Sequence, residues 1–155
     1  MSNDVCGYIE IPKFENTNAL KKYIEGIEIG VQEIKPEELF NYPEKLKPSE
    51  SSYIFLIGDR PGSKNATYLT DYYEYDPFTS TTGFPSNPTE RLKILTNTLT
   101  EMFNISKTSK MVIAITDSNQ VSKIKTIKIH NFERTILDDF SINDGPPDTI
   151  YIIER

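Results

Sequence analysis

Two uninterrupted apolar runs dominate the hydrophobic pattern of the chain. The first is Tyr53, Ile54, Phe55, Leu56 and Ile57, closed by Gly58; the second is Met111, Val112, Ile113, Ala114 and Ile115, ending at Asp117. Short runs without alternation predict strands covered on both faces, and the first of them is expected to be central. Residues 5–11 alternate loosely and stop at Pro12, where the backbone donor disappears, so they predict a further strand. Residues 123–130 mix lysines with Ile124, Ile127 and Ile129. That mixture predicts a half-exposed strand nearer an edge. Residues 150–153 make a final strand, whereas residues 31–34 fit either a small strand or the end of a helix.

Helical periodicity appears three times. Ala19, Leu20, Tyr23, Ile24 and Ile27 share one face, with Asn16 to Asn18 as caps and Gly30 as the stop. Asn87, Pro88, Thr89 and Glu90 combine an N-cap amide, proline at the first helical position and a carboxylate three residues after the cap. Leu92, Leu95, Leu99, Met102 and Phe103 continue that helix as an apolar stripe. Phe132, Ile136, Leu137 and Phe140 predict a last helix, capped by Asn131 and broken by Gly145, Pro146 and Pro147. This order predicts one layered domain over residues 1–155, α/β or α+β, with a mixed β-sheet packed by helices. Residues 60–86 read as an extended loop or hairpin excursion.

Composition narrows the class of partner. Of 155 residues, 17 are Lys or Arg and 23 are Asp or Glu, giving a formal charge of −6. Because nucleic-acid affinity comes largely from neutralised phosphates, this balance argues against direct nucleic-acid binding. Lys107, Lys110, Lys123, Lys125 and Lys128 form a basic stretch without interleaved aromatics, which suits a wet strand face better than an RNA surface. One cysteine, Cys6, allows no internal disulfide and fits a reducing compartment. The first four residues carry neither a basic region nor an apolar core, and apolar runs of about five residues fall short of a membrane span. A cytoplasmic protein without a membrane partner or a cofactor is expected.

Candidate chemistry is sparse. The loop Gly58, Asp59, Arg60, Pro61, Gly62, Ser63, Lys64 lacks the spacing of a phosphate-cradling loop. Asp59 and Asp117 each follow a buried strand; as parallel neighbours they would meet at the carboxyl edge of the sheet and offer oxygen ligands to Mg²⁺. Asp is also a common turn residue at strand ends. Cys6 suits a core position, His130 a strand end, and Asp138 with Asp139 a charged helix face beside solvent. No nucleophile and base are paired, so a non-enzyme is expected, with a metal-dependent phosphate-ester enzyme using Asp59 and Asp117 as the alternative.

The densest feature lies within the excursion. Tyr68, Tyr72, Tyr73, Tyr75 and Phe78 alternate with Asp71, Glu74 and Asp76, and no Lys or Arg occurs between Asn65 and Glu90. Tyrosine gives large contact area at low rotamer cost, and neighbouring acids steer basic partners. These eight residues are the candidate partner-binding set, although alternate tyrosines could equally cover a core.

In size, charge and the texture of residues 111–117 and 146–153, the chain resembles the small acidic immunity proteins of bacterial toxin–immunity pairs, including contact-dependent growth inhibition systems. The resemblance implies a non-enzyme that binds a cognate toxin, commonly a basic nuclease, and blocks its active or substrate-binding surface. It carries no functional residue over to this chain.

Overall fold

The computed structural model describes residues 5–39, 42–58, 69–70, 78, 84–117 and 120–155. Among these residues six strands form one sheet: β1 (Val5–Glu10), β2 (Val31–Glu33), β3 (Ser52–Ile57), β4 (Lys110–Ile115), β5 (Lys123–Lys128) and β6 (Thr149–Glu154), in the order β2-β3-β1-β4-β6-β5. Every neighbouring pair is antiparallel except β5 with β6, so the sheet is mixed. Helices α1 (Phe14–Gly26), α2 (Pro88–Ile105) and α3 (Phe132–Asn143) complete an α+β single-domain fold. No helix among the described residues is long and apolar enough to cross a membrane.

Alternation along the strands divides the core in two. Val5 and Ile9 of β1, Phe55 and Ile57 of β3, Ile113 of β4 and Tyr151 of β6 face the three helices in one cluster. Across the sheet, Tyr8, Ile54, Val112, Ala114 and Ile150 form a second cluster. Residues 34–39 and 42–48, with single turns of 3₁₀ helix at Pro36–Glu38 and Glu44–Leu46, lie on that face through Ile34, Leu39, Tyr42 and Leu46. This strap is pinned by two phenols. Tyr8 Oη donates to the Leu46 carbonyl at 2.7 Å, and Tyr42 Oη donates to the Cys6 carbonyl at 2.8 Å.

The long helix forms where the pattern placed it. Asn87 Oδ1 accepts from the Thr89 and Glu90 amides at 2.8 and 3.3 Å, and Leu92, Leu95, Leu99, Met102 and Phe103 are fully buried. Other expectations are corrected. β3 is interior, but the middle of the sheet belongs to β1 and β4. β1 lies close against β4 at Gly7, where a Cβ would collide with the Val112 carbonyl oxygen and stand 2.9 Å from Ile113 Cα. That close seam is open only to glycine, and a loosely alternating strand gives no hint of it.

The ends of α1 also differ from expectation. It begins at Phe14 after an extended Lys13, ahead of Asn16 to Asn18, and ends at Gly26 because Ile27 turns extended, well before Gly30. Residues 31–33 are therefore free to be a strand. Asn131 precedes α3 without a side-chain cap, since residues 129–131 already form a 3₁₀ turn. At its far end Asp144 takes the left-handed conformation at φ 57°, and the Gly145 amide donates back to Phe140 at 3.0 Å.

Candidate functional site

Both apolar runs end at the same edge of the sheet, because Ile57 and Ile115 are each in register with Val5. β3 and β4 are thus parallel to one another but not neighbours, as β1 runs between them. Their ends are two strand spacings apart, roughly 9 to 10 Å. The expectation of adjacent parallel strands is corrected accordingly. Asp59 lies outside the described residues. Asp117 is half-buried, and its amide donates to Asp148 Oδ1 at 2.9 Å.

Asp148 is the organising residue of this edge. Its backbone is left-handed at φ 51°, and its carbonyl accepts from the Ser122 amide at 2.8 Å and from Ser122 Oγ at 3.2 Å. One aspartate thereby joins the exit of β4, the entry of β5 and the start of β6. Such side-chain to backbone bonds are how Asp replaces a missing ladder partner at a strand end. Nothing in the spacing signals this tie, since Asp117 and Asp148 are 31 residues apart. Among the described residues no three His, Cys, Asp or Glu side chains gather closely enough to hold a metal ion.

Of the candidate partner-binding residues, Tyr68, Asp71, Tyr72, Tyr73, Glu74, Tyr75 and Asp76 lie outside the described residues. Phe78 is 96% exposed, while Leu69 and Thr70 are both buried, Leu69 within the helix-side cluster. The excursion is therefore tied to the core near one end of the tyrosine run and meets solvent at Phe78. Its return is fixed by Arg91. That side chain is buried in the first turn of α2 and donates to the Pro85 and Ser86 carbonyls at 3.0 and 2.7 Å. The sequence gives no warning of a buried arginine here, because Arg91 follows Glu90 in what reads as a solvated first turn.

No protein-family model, curated protein or solved structure matches the chain.

The pair Asp138 and Asp139 is not a uniform charged face. Asp138 is exposed, 4.0 Å from Arg134, but the Asp139 side chain is only 11% exposed. Both Asp139 oxygens accept from Lys125 Nζ at 2.8 Å, and Oδ2 also accepts from Tyr151 Oη at 2.7 Å. Burial, and then the Asp139 carboxylate, push the Tyr151 phenol up from its ordinary pKa. This triad bolts α3 to β5 and β6, so Asp139 is structural.

The remaining candidates stand apart. His130 is exposed in the turn after β5, and Cys6 is half-buried on the strap face. At the opposite edge of the sheet, a shallow cleft of about 350 Å³ lies beside Pro12, Phe14, Glu33, Glu50 and Tyr53. Glu33 is engaged there by Lys21 at 3.6 Å. Burial, and then Glu33, push the Tyr53 phenol up to about 12.

Proposed function

We propose that this protein is an immunity-type binder that neutralises a cognate, basic nuclease toxin in the bacterial cytoplasm by covering its active or substrate-binding surface. The observation that carries the reading is the stretch from Tyr68 to Phe78, whose tyrosines alternate with acids in a chain of net charge −6. A nuclease must present positive charge to phosphates. An inhibitor that sets clustered acids and aromatic anchors against that charge associates quickly and then holds by packing. Burial of Leu69 and Thr70 and exposure of Phe78, which flank residues 71–77 in sequence, support it, because binding residues are best carried next to a point anchored in the core.

The test asks whether a toxin gene lies directly upstream and, where it encodes a nuclease, pairs that nuclease with the purified protein, measured by nuclease inhibition, calorimetry and thermal melting. Truncating a binding tyrosine to Ala is expected to cost roughly 2 kcal/mol or more in affinity with the fold intact. Reversing two of the acids Asp71, Glu74 and Asp76 is expected mainly to slow association, more so at low salt. Affinity losses that merely follow melting temperature would make the segment ordinary core. Mg²⁺-dependent turnover of a phosphate ester that vanishes in Asp59→Asn and in Asp117→Asn would establish the enzyme alternative instead.

A further inference from the structure

We infer that the outer edge of β5 is a docking site where an extended, acidic segment of a partner protein adds to the sheet as an antiparallel strand. β5 stands at the end of the strand order, and among the described residues it pairs only with β6. Its outward backbone amides and carbonyls are a template for another strand. The other edge strand, β2, offers only three residues, against six in β5.

Side chains on β5 select the occupant. Lys123, Ile124, Thr126 and Lys128 are exposed, with Ile124 at 42%. The ammonium of Lys125 is taken by Asp139, whereas Lys123 and Lys128 have no ion pair among the described residues. Residues 120–132 contain three lysines, one histidine and no acid, in a chain whose net charge is −6. The edge is thus a basic island on an acidic protein.

A second copy of the chain fits this edge badly. Antiparallel pairing of two β5 strands brings three lysines of each copy onto one six-residue ladder with no acid among residues 120–132 to offset them, and like charges brought close together destabilise a ladder. A nucleic acid fits little better, since residues 120–131 carry no Phe, Tyr or Trp and only His130, beyond the end of β5, on which a base could stack. An acidic strand satisfies both features together. Its carboxylates would sit opposite Lys123 and Lys128, with an apolar residue against Ile124. Lysines commonly keep edges from aggregating; here the charge that turns away a second copy also selects the partner. This surface has the opposite sign to the one proposed for the toxin, and neither proposal depends on the other.

The probe is a blocked β-prone peptide of valine and threonine with two glutamates spaced to match Lys123 and Lys128, titrated into ¹⁵N-labelled protein. Amide shifts and slowed hydrogen exchange are expected within β5. Affinity is expected to fall about tenfold in K123E/K128E, the product of two lost cross-strand pairs and two new repulsions. K123Q/K128Q removes charge without adding any beside Glu154, and should weaken binding at unchanged melting temperature. A matching peptide with lysines in place of the glutamates should bind K123E/K128E in preference to the natural chain. Sedimentation of the natural chain is expected to show no dimer formed through β5. The inference is overturned if the shifts avoid β5, if affinity ignores both charge variants, or if the natural chain already dimerises through β5. Tighter binding of an oligouridylate to the same lysines would overturn it in favour of a nucleic-acid surface.

Discussion

On the helix side of the sheet, Phe55, Ile113, Tyr151 and Ile153 share one cluster with Leu95, Leu99, Phe103 and Phe140, each of them fully buried. On the strap side, beyond the apolar cover of Ile34, Leu39, Tyr42 and Leu46, the covering segment is tied by the Ile34 amide to the Ile54 carbonyl at 2.9 Å and by two phenol hydroxyls aimed at single carbonyls 36 and 38 residues away in sequence. The first arrangement sums many non-directional contacts and tolerates small errors in position. The second depends on direction: a phenol moved by an ångström loses its bond. Helix-side packing should therefore supply most of the stability, and the strap-side hydrogen bonds should fix where residues 34–39 and 42–48 lie.

The largest expected effect breaks the helix side. Phe103 sits at the end of the α2 stripe with its ring 5.2 Å from the Arg155 guanidinium carbon. Phe103→Ala is expected to destabilise by roughly 3 to 5 kcal/mol through lost burial and a cavity. Urea denaturation followed by far-UV circular dichroism would read it, and a loss below 1 kcal/mol would contradict the division between the faces.

Next comes the seam common to both. Because a methyl at position 7 meets backbone rather than a movable side chain, Gly7→Ala is expected to cost about 2 to 3 kcal/mol as β1 and β4 are forced apart. Hydrogen exchange should quicken in both strands of the seam. Unaltered exchange there, with unaltered stability, would show that the seam relaxes freely.

What the sequence made legible follows the same division. The α2 stripe, its Asn87 cap and the two apolar strands could be read because burial imprints a local period. Half-exposed β5 was readable for the same reason. The position of β1 at the centre, the bond from Asp117 to Asp148 and the burial of Arg91 and Asp139 could not, since each depends on a partner that pairing order brings close and composition does not mark. Tyr8 and Tyr42 show the limit well. Both read as generic aromatics until the strap supplies an acceptor or a donor. For the candidate site, the acidic tyrosine run was legible as chemistry, whereas its anchoring at Leu69 was not.

The smallest expected effect sharpens the strap side, and its sign changes with pH. Tyr8→Phe keeps the ring packed and removes only the hydrogen bond to the Leu46 carbonyl, so near neutral pH it is expected to cost about 1 kcal/mol. Burial, and then Glu10, push the Tyr8 phenol up to about 12 from an ordinary 10.0. A phenol whose folded pKa is raised contributes stability that is fully present below its unfolded pKa and is lost as pH climbs toward the folded value. The natural chain therefore loses roughly 1.4 kcal/mol per pH unit from this group between about pH 10 and 12, while Tyr8→Phe loses none from it. Tyr53 and Tyr151, whose pKa values are also raised, titrate in both proteins and leave the difference unchanged, while Tyr42, pushed up by burial and in part by Tyr8 itself, adds to the loss in the natural chain. The two stability curves should cross about one unit above pH 10, the variant becoming the more stable beyond it. Denaturation midpoints measured through that window decide the matter. Parallel curves with no crossing would mean that folding does not raise the Tyr8 phenol, and that the strap is placed by its apolar contacts and the remaining Ile34 and Tyr42 bonds.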